Sequence, residues 1–179
     1  HGIDPESLIV DTVAPTGTAF IGVEESGENS IIVNPGANHG LRPEHLDHHL
    51  GLFEKPTHLL LQLEIPFDTI RHACKLAREK GLTIVINPSP WSDEFNTIDF
   101  PCDILVVNSH EAVSFLKQAD LYPSAAFFDE NQLQTLIVTR GSDTTLAFSA
   151  SGQRWESPPP TTPPGEPVGE AVGFAGGLP

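Results

Sequence analysis

Several residue types are scarce in this chain of 179 residues, which has no methionine, one tyrosine and two cysteines. Cys74 and Cys102 fall in different kinds of segment and form neither a disulfide framework nor a metal-ligand spacing. We therefore expect both to be packing residues in a protein of the reducing cytoplasm. No apolar run reaches the length of a membrane span and no signal-peptide pattern is present, so no membrane partner is expected.

Basic residues are also scarce, with 9 lysines and arginines against 24 acidic residues and a formal net charge of −15. This balance argues against binding to nucleic acid or to anionic membranes through overall electrostatics, and an anionic substrate would need a local cradle. The length fits one domain with a substantial core. Because the chain begins at His1 without methionine, we expect a processed, trimmed or partial sequence.

The hydrophobic patterns predict alternating strands and helices. Residues 16–24 and 29–34 are β-rich runs around turn residues and predict a hairpin. Pro66 is expected to open a helix that Gly81 closes. Strand, helix and strand within about thirty residues predict a right-handed βαβ unit with parallel strands. Further strands are predicted at 57–62, 82–86, 104–107, 134–139 and 144–149, with helices at 42–53, 67–80, 110–118 and 125–134 and a loop at 35–38.

Four histidines lie in and around the predicted helix 42–53 and raise the question of a metal site. No carboxylate–histidine set at a recognised ligand spacing accompanies them. We therefore expect solvent-facing histidines rather than metal ligands. The four are His39, His45, His48 and His49.

The stretch 103–111 predicts a buried parallel strand that presents an amide and a carboxylate at its end. Asn108 stands at the carboxyl end of the strand, and Ser109 is a plausible N-cap of the next helix. Glu111 falls in the first turn of that helix, near the positive end of its dipole. Taken alone, this stretch favours a helix cap and a solvated carboxylate over a binding site.

Polar residues follow four predicted strands, and in a parallel sheet these strand ends lie along one edge. Ligands of open α/β sheets bind outside this edge, so the joint occurrence favours one shared site. The residues are Glu64, Asn87, the pair Asn108 and Glu111, and the group Thr139, Gly141 and Ser142.

Taken in order, seven short motifs resemble those of ribokinases in the PfkB sugar-kinase family. They are Thr16-Gly-Thr-Ala-Phe20, Gly27-Glu-Asn29, Pro35-Gly-Ala-Asn38, Gln62-Leu-Glu-Ile-Pro66, Asn87-Pro-Ser-Pro90, Asn108-Ser-His-Glu111 and Thr139-Arg-Gly-Ser142. The resemblance covers nearly the whole chain but only the middle of a family member. It implies an α/β fold, the ribokinase-like three-layer sandwich, with a mostly parallel central sheet and a small β-hairpin lid at 16–34.

The resemblance also implies a function, the ATP-dependent phosphorylation of a sugar hydroxyl with Mg²⁺ and usually a monovalent cation such as K⁺. Carried over by motif, Glu64 would face the sugar and Glu111 the metal. The nucleotide-binding residues would be Asn108, Thr139, Gly141 and Ser142. The implied partners are a small sugar and ATP, with a homodimer formed through the lid hairpin, in the cytoplasm.

One departure from the family concerns the motif Gly-Ala-Gly-Asp, whose Asp is the expected base and whose glycine amides form the anion hole. Aligned on Phe174, the chain has Gly169-Glu-Ala-Val172 instead. Val172 cannot accept a proton, and Glu170 beside Ala171 would repel the phosphate. We therefore expect an impaired kinase, and the alternatives are a non-catalytic nucleotide- or sugar-binding remnant and a structural fragment that binds nothing.

The composition divides the chain at residue 157. Residues 1–157 are interpreted as a partial ribokinase-like domain. Residues 158–179 are rich in proline and glycine and end in the degenerate motif. We expect the tract 158–167 to be extended, because its prolines cannot supply ladder donors, and we interpret the end as a truncation.

Overall fold

A computed structural model describes residues 8–24 and 29–159, which form two separate sheets and four α-helices. The strands are β1 (Thr18–Val23), β2 (Asn29–Asn34), β3 (His58–Leu61), β4 (Thr83–Ile86), β5 (Ile104–Asn108), β6 (Thr135–Thr139), β7 (Thr145–Ser149) and β8 (Arg154–Ser157). The α-helices are α1 (Pro43–Asp47), α2 (Phe67–Glu79), α3 (Ser109–Leu116) and α4 (Ala125–Glu130), and two 3-10 helices span Gly36–Gly40 and Leu50–Phe53.

The larger sheet has six strands in the order β3-β4-β5-β6-β7-β8. The first four strands pair in parallel, and β7 and β8 continue the sheet in antiparallel pairing. The smaller sheet is the antiparallel hairpin of β1 and β2. The predicted fold class is therefore confirmed as α/β, with a mostly parallel sheet and a separate hairpin.

The core lies between the larger sheet and its helices. The amphipathic helix α2 buries one face, and the strands β4 and β5 bury alternate side chains. The C-terminus of α2 carries a Schellman motif around Gly81, at φ +72°, in which Leu82 N–H donates to Ala77 O. The predicted C′ glycine is thus confirmed. The fully buried core side chains include Ile70, Cys74, Ile84, Ile86, Leu105, Val107, Leu136 and Val138.

Residues 42–53 do not form the single helix that the spacing predicts. Backbone bonds of the i to i+3 type, His49 N–H to Leu46 O and Leu52 N–H to His49 O, separate α1 from the following 3-10 helix. The imidazole of His45 accepts a hydrogen bond from Arg42 N–H and thereby caps α1 locally. This prediction was wrong because the His49 side chain bonds to His45 O at 2.8 Å, the carbonyl that His49 N–H would use in a continuous helix, while His49 N–H bonds to Leu46 O instead.

Other elements also differ from the prediction. Residues 35–38, predicted as a loop, lie mainly in the 3-10 helix Gly36–Gly40. The helix predicted at 125–134 ends at Glu130, and Gln132 follows in a left-handed conformation at φ +51°. Strand β8 was not predicted, although its exposure alternates as in a half-buried strand.

Close backbone packing holds the base of the hairpin. Ala37 N–H donates to Pro15 O, and Gly36 adopts φ +51°. A Cβ at Gly36 would lie 2.3 Å from Pro15 O, so only glycine fits this position. The hairpin turn, residues 25–28, lies outside the described residues.

The histidines and cysteines take different environments. His39 and His48 are exposed, as predicted, whereas His45 and His49 are half-buried and hydrogen-bonded to nearby backbone. Both cysteines are buried free thiols, as expected of packing residues. Within residues 8–24 and 29–159, no helix is long and apolar enough to cross a membrane, and no group of three or more potential ligands could hold a metal ion.

Candidate active site

The carboxyl ends of β3, β4, β5 and β6 lie side by side along one edge of the larger sheet, because these strands are parallel and adjacent. Asn108 and Thr139 are direct partners in the ladder between β5 and β6. Adjacent strands are about 4.8 Å apart, so polar groups on neighbouring ends are within reach of one ligand. The prediction that these strand ends lie along one edge of one sheet is confirmed.

Asn108 and Glu111 form a reciprocal capping box at the start of α3. The side-chain oxygen of Asn108 accepts hydrogen bonds from His110 N–H and Glu111 N–H, both at 2.9 Å. In return, Glu111 Oε2 accepts from Asn108 N–H at 2.8 Å. Asn108 is therefore the N-cap, and the prediction that Ser109 has this role was wrong.

The environment of Glu111 also differs from the prediction of a solvated carboxylate, because the residue is only 7% exposed. Its side chain lies in the first turn of α3, where the positive end of the helix dipole favours negative charge. The Asn-x-x-Glu spacing is the signal that could have identified this arrangement from sequence. The capping box fixes both side chains at the strand end, so their positions do not depend on a ligand.

The end of β6 and the turn after it bring the predicted residues Thr139, Gly141 and Ser142 to the same edge. Thr139 Oγ1 lies 3.4 Å from Val107 O on β5, and the turn that follows is closed by Asp143 N–H donating to Arg140 O. Gly141 has φ +58°, and a Cβ added there would meet no atom within 4 Å. Gly141 and Ser142 are exposed, so a ligand can approach the backbone of this turn.

Glu64 lies at the other end of this edge, beyond β3. Its side chain is exposed, and its loop is held by a hydrogen bond from Leu63 N–H to Ser89 O. Because β4 separates β3 from β5, Glu64 is about two strand spacings, or roughly 10 Å, from Asn108. The structure therefore brings Asn108, Glu111 and Thr139 together and places Glu64 at a distance from them.

A separate groove of about 310 Å³ lies beside β3 and has an apolar lining. Its side chains offer few hydrogen-bond partners for the charged groups of a phosphate-bearing ligand. The strand-end edge has the matching polar groups, so it is the better candidate site. The groove is lined mainly by leucines, with Phe53, Pro56, His58, Ile65 and Ala73 among the other residues.

The model of the pfkB family of carbohydrate kinases matches residues 1–169 of the chain. The chain belongs to this family. The predicted relationship to ribokinases within it is confirmed by curated relatives. The bifunctional ribokinase/ribose-5-phosphate isomerase A of Fructilactobacillus sanfranciscensis is 31% identical over 145 residues, which cover 78% of this chain and 27% of that protein.

Two further comparisons agree with the pfkB assignment. The ribokinase of Schizosaccharomyces pombe is 30% identical over 165 residues, covering 85% of this chain and 52% of that protein. The ribokinase of Cryptococcus neoformans var. grubii serotype A, solved in complex with ADP, has a TM-score of 0.72 at 26% identity and covers 89% of this chain and 56% of that one. The chain thus spans about half the length, or less, of these relatives.

The family match ends at residue 169, so part of the predicted anion hole lies beyond it. Gly169, Glu170, Ala171 and Val172 all lie outside the described residues, as does most of the proline tract 158–167. The predictions on these positions stay predictions. Sequence reasoning also missed the hydrogen bond from Asn87 Nδ2 to Val106 O, which links the ends of β4 and β5 at 2.9 Å.

Proposed function

We propose that this chain supplies the nucleotide side of an ATP-dependent kinase for a sugar hydroxyl and that its own phosphoryl transfer is impaired. The observation that carries this proposal is the direct pairing of Asn108 with Thr139, with the Glu111 carboxylate fixed beside them. Phosphoryl transfer depends mainly on positioning and on electrostatic stabilisation, which preformed polar groups at a strand edge can supply.

ATP is proposed to lie over the turn after β6, against Thr139, Gly141 and Ser142. This turn is exposed and lacks a Cβ at its centre, which suits close approach by a nucleotide. Asn108 uses its side-chain oxygen for the cap, so its Nδ2 group is the one that can donate to a phosphate. The Cryptococcus ribokinase solved with ADP supports a nucleotide ligand for this fold.

Mg²⁺ is proposed to bind on the Glu111 side of the phosphates. Magnesium usually keeps several waters and is held by one or two carboxylates together with substrate phosphates, so a single protein carboxylate fits this role. When bound, the ion would neutralise charge on the phosphates. A monovalent cation such as K⁺ stays an expectation from the resemblance, as does a cytoplasmic location.

The sugar is proposed to bind near Glu64, whose exposed carboxylate can accept hydrogen bonds from hydroxyl groups. Impairment is proposed because Val172 stands at the position of the proton acceptor and Glu170 at the anion hole. Loss of a general base removes about two to four powers of ten in rate. The Glu170 carboxylate would lower the rate further, because it repels the phosphate where the anion hole should stabilise it.

The test combines two measurements on the 179-residue chain. Calorimetric titration with MgATP should show binding, while ribose-dependent release of ADP should be far below that of an intact ribokinase. The triple variant E170A/A171G/V172D restores the family motif and should raise turnover. Turnover near that of an intact ribokinase would contradict the impairment, and absence of MgATP binding would favour the structural-fragment alternative.

We also propose that the lid hairpin forms a homodimer. The register of β1 and β2 places Ala19, Ile21, Val23, Ile31 and Val33 on one face. Ile21, Val23, Ile31 and Val33 are each at least 54% exposed, which leaves an apolar surface that a second copy could cover.

The homodimer proposal can be tested by analytical ultracentrifugation of two matched variants. The substitution I31D places a charge on the apolar face and should give monomers. The substitution I32D places the same charge on the opposite face, where Phe20 and Ile32 are also exposed, and it should leave the dimer intact if the first face is the interface. Monomers of the unsubstituted chain at high concentration would contradict the proposal.

A further inference from the structure

The strands β4 and β5 separate at the edge where the candidate site lies. Their ladder has only two pairs, the last of which joins Ile86 to Leu105. The ladder between β5 and β6, by contrast, has five pairs and continues to Asn108. Asn108 is therefore held by backbone pairing on its β6 side, while the ladder on its β4 side has already ended.

The ladder ends on the site side because of the proline after Asn87. Asn87 N–H donates to Leu61 O on β3 at 2.9 Å. Backbone amides of a central strand face its two neighbours alternately, so the next amide that faces β5 belongs to residue 88. Pro88 has no N–H to donate, and the ladder cannot continue there.

The side chain of Asn87 takes over the missing bond. Its Nδ2 group donates to Val106 O at 2.9 Å, at the level where the ladder would need a donor from residue 88. Val106 is two residues before Asn108 on the same strand. The half-buried Asn87 thus joins β4 to the part of β5 that carries the cap of α3.

Asn87 is also connected to the loop that carries Glu64, near which the sugar is proposed to bind. Ser89 N–H donates to Asn87 O at 2.8 Å, and Leu63 N–H donates to Ser89 O at 3.0 Å. Leu63 directly precedes Glu64. A short chain of hydrogen bonds therefore runs from Val106 through Asn87 and Ser89 to the loop that holds Glu64.

We propose that Asn87 is a positioning residue: by replacing the N–H that Pro88 lacks, its side-chain amide sets the distance between the strand ends that carry Glu64 and Asn108. The expected effect on nucleotide binding rests on the function proposed above. The effect on the geometry of β5 does not, because it follows from the hydrogen bond to Val106 alone.

The test uses four variants of the 179-residue chain. N87A removes the side-chain donor, and N87A/P88A removes it but gives residue 88 an N–H that can donate to Val106 O. P88A alone is the reference for the double variant. N131A is the matched control, since Asn131 is also half-buried and makes two side-chain hydrogen bonds, with Phe127 O and Thr97 Oγ1, away from the strand ends.

The first readout is the carbonyl ¹³C shift of Val106 with the amide shifts of Val107 and Asn108. In N87A these shifts should differ from those of the unsubstituted chain, and in N131A they should not. In the double variant N87A/P88A they should be close to those of P88A. The second readout is the MgATP dissociation constant from calorimetry. N87A should weaken binding about three- to tenfold, the cost of one hydrogen bond, and the double variant should recover most of the loss.

Two results would overturn the positioning role. One is that N87A changes the β5 shifts and the dissociation constant no more than N131A does. The other is that the folded double variant keeps the shifts of N87A, which would show that Pro88 is not the reason for the side-chain bond. If the unsubstituted chain does not bind MgATP, the proposed function fails, and the carbonyl and amide shifts alone decide the role of Asn87.

Discussion

Asn108 and Thr139 lie directly opposite each other at the last rung of the β5–β6 ladder, and the side chain of Asn108 also caps α3. One residue thus ends β5, caps α3 and pairs with the last residue of β6. Polar groups at this edge owe their positions to backbone pairing and helix capping. We expect them to be in place before any ligand binds.

The cap gives a first prediction. The substitution N108A removes the acceptor for His110 N–H and Glu111 N–H, so α3 should lose about 1 kcal/mol of stability, within the usual range for N-caps. The free energy of unfolding in urea measures this loss. S109A is the matched control, because Ser109 makes only a 3.4 Å contact with Thr139 O. A larger loss in S109A than in N108A would contradict the assignment of the cap.

A second prediction concerns Asp103, at the opposite edge of the sheet. This residue is 5% exposed, and its carboxylate accepts from Arg78 Nη1 at 2.6 Å, Ile84 N–H at 2.8 Å and Gln134 Nε2 at 3.1 Å. D103A should therefore destabilise the chain by roughly 3 kcal/mol, because it leaves the buried Ile84 N–H without its acceptor and breaks an ion pair.

The control for Asp103 is D143A. Asp143 is 70% exposed and lies 3.6 Å from Arg140 Nη2, so its loss should change stability by no more than about 0.5 kcal/mol. Equilibrium unfolding in urea compares both variants. Equal losses of unfolding free energy in D103A and D143A would contradict the role of Asp103 in linking α2 to the strands.

The buried thiols give a third prediction. Burial raises the pKa of Cys74 from 9.0 to about 11 and that of Cys102 from 9.0 to about 12. At pH 8, both should resist alkylation by iodoacetamide in the native chain and react after unfolding, since the thiolate is the nucleophile. Mass spectrometry counts the labelled sites. Rapid labelling of the native chain would contradict their burial.

The same pKa shifts set a pH dependence. Because the folded chain disfavours the thiolates, the stability from these thiols is fully present below pH 9 and is lost as the pH rises towards 11 and 12. The free energy of unfolding should therefore fall between pH 9 and pH 11. A double variant in which both cysteines are replaced by alanine should lose this part of the pH dependence.

Much of this fold could be predicted from sequence, for a physical reason. Short β-branched runs separated by amphipathic helices allow little besides a parallel sheet, and parallel strands place Asn87, Asn108 and Thr139 at one edge. The C′ glycine at position 81 was predictable because few other residues tolerate its conformation.

Other features depend on contacts that no local pattern contains. The Asn-x-x-Glu spacing predicts the capping box, but it does not predict that Glu111 is only 7% exposed. The role of Asn87 depends on a missing N–H at Pro88 and on the separation of two strands. The break between α1 and the next 3-10 helix follows from i to i+3 bonds that hydrophobic spacing does not encode.

The most direct test of a nucleotide site at the strand ends is a ¹⁵N–¹H NMR titration of the chain with MgATP. We predict that the largest shift changes are at Asn108, Glu111, Thr139, Gly141 and Ser142, along the edge formed by β5 and β6. Unchanged shifts at these residues, or largest changes around the apolar groove near Phe53, would contradict this site.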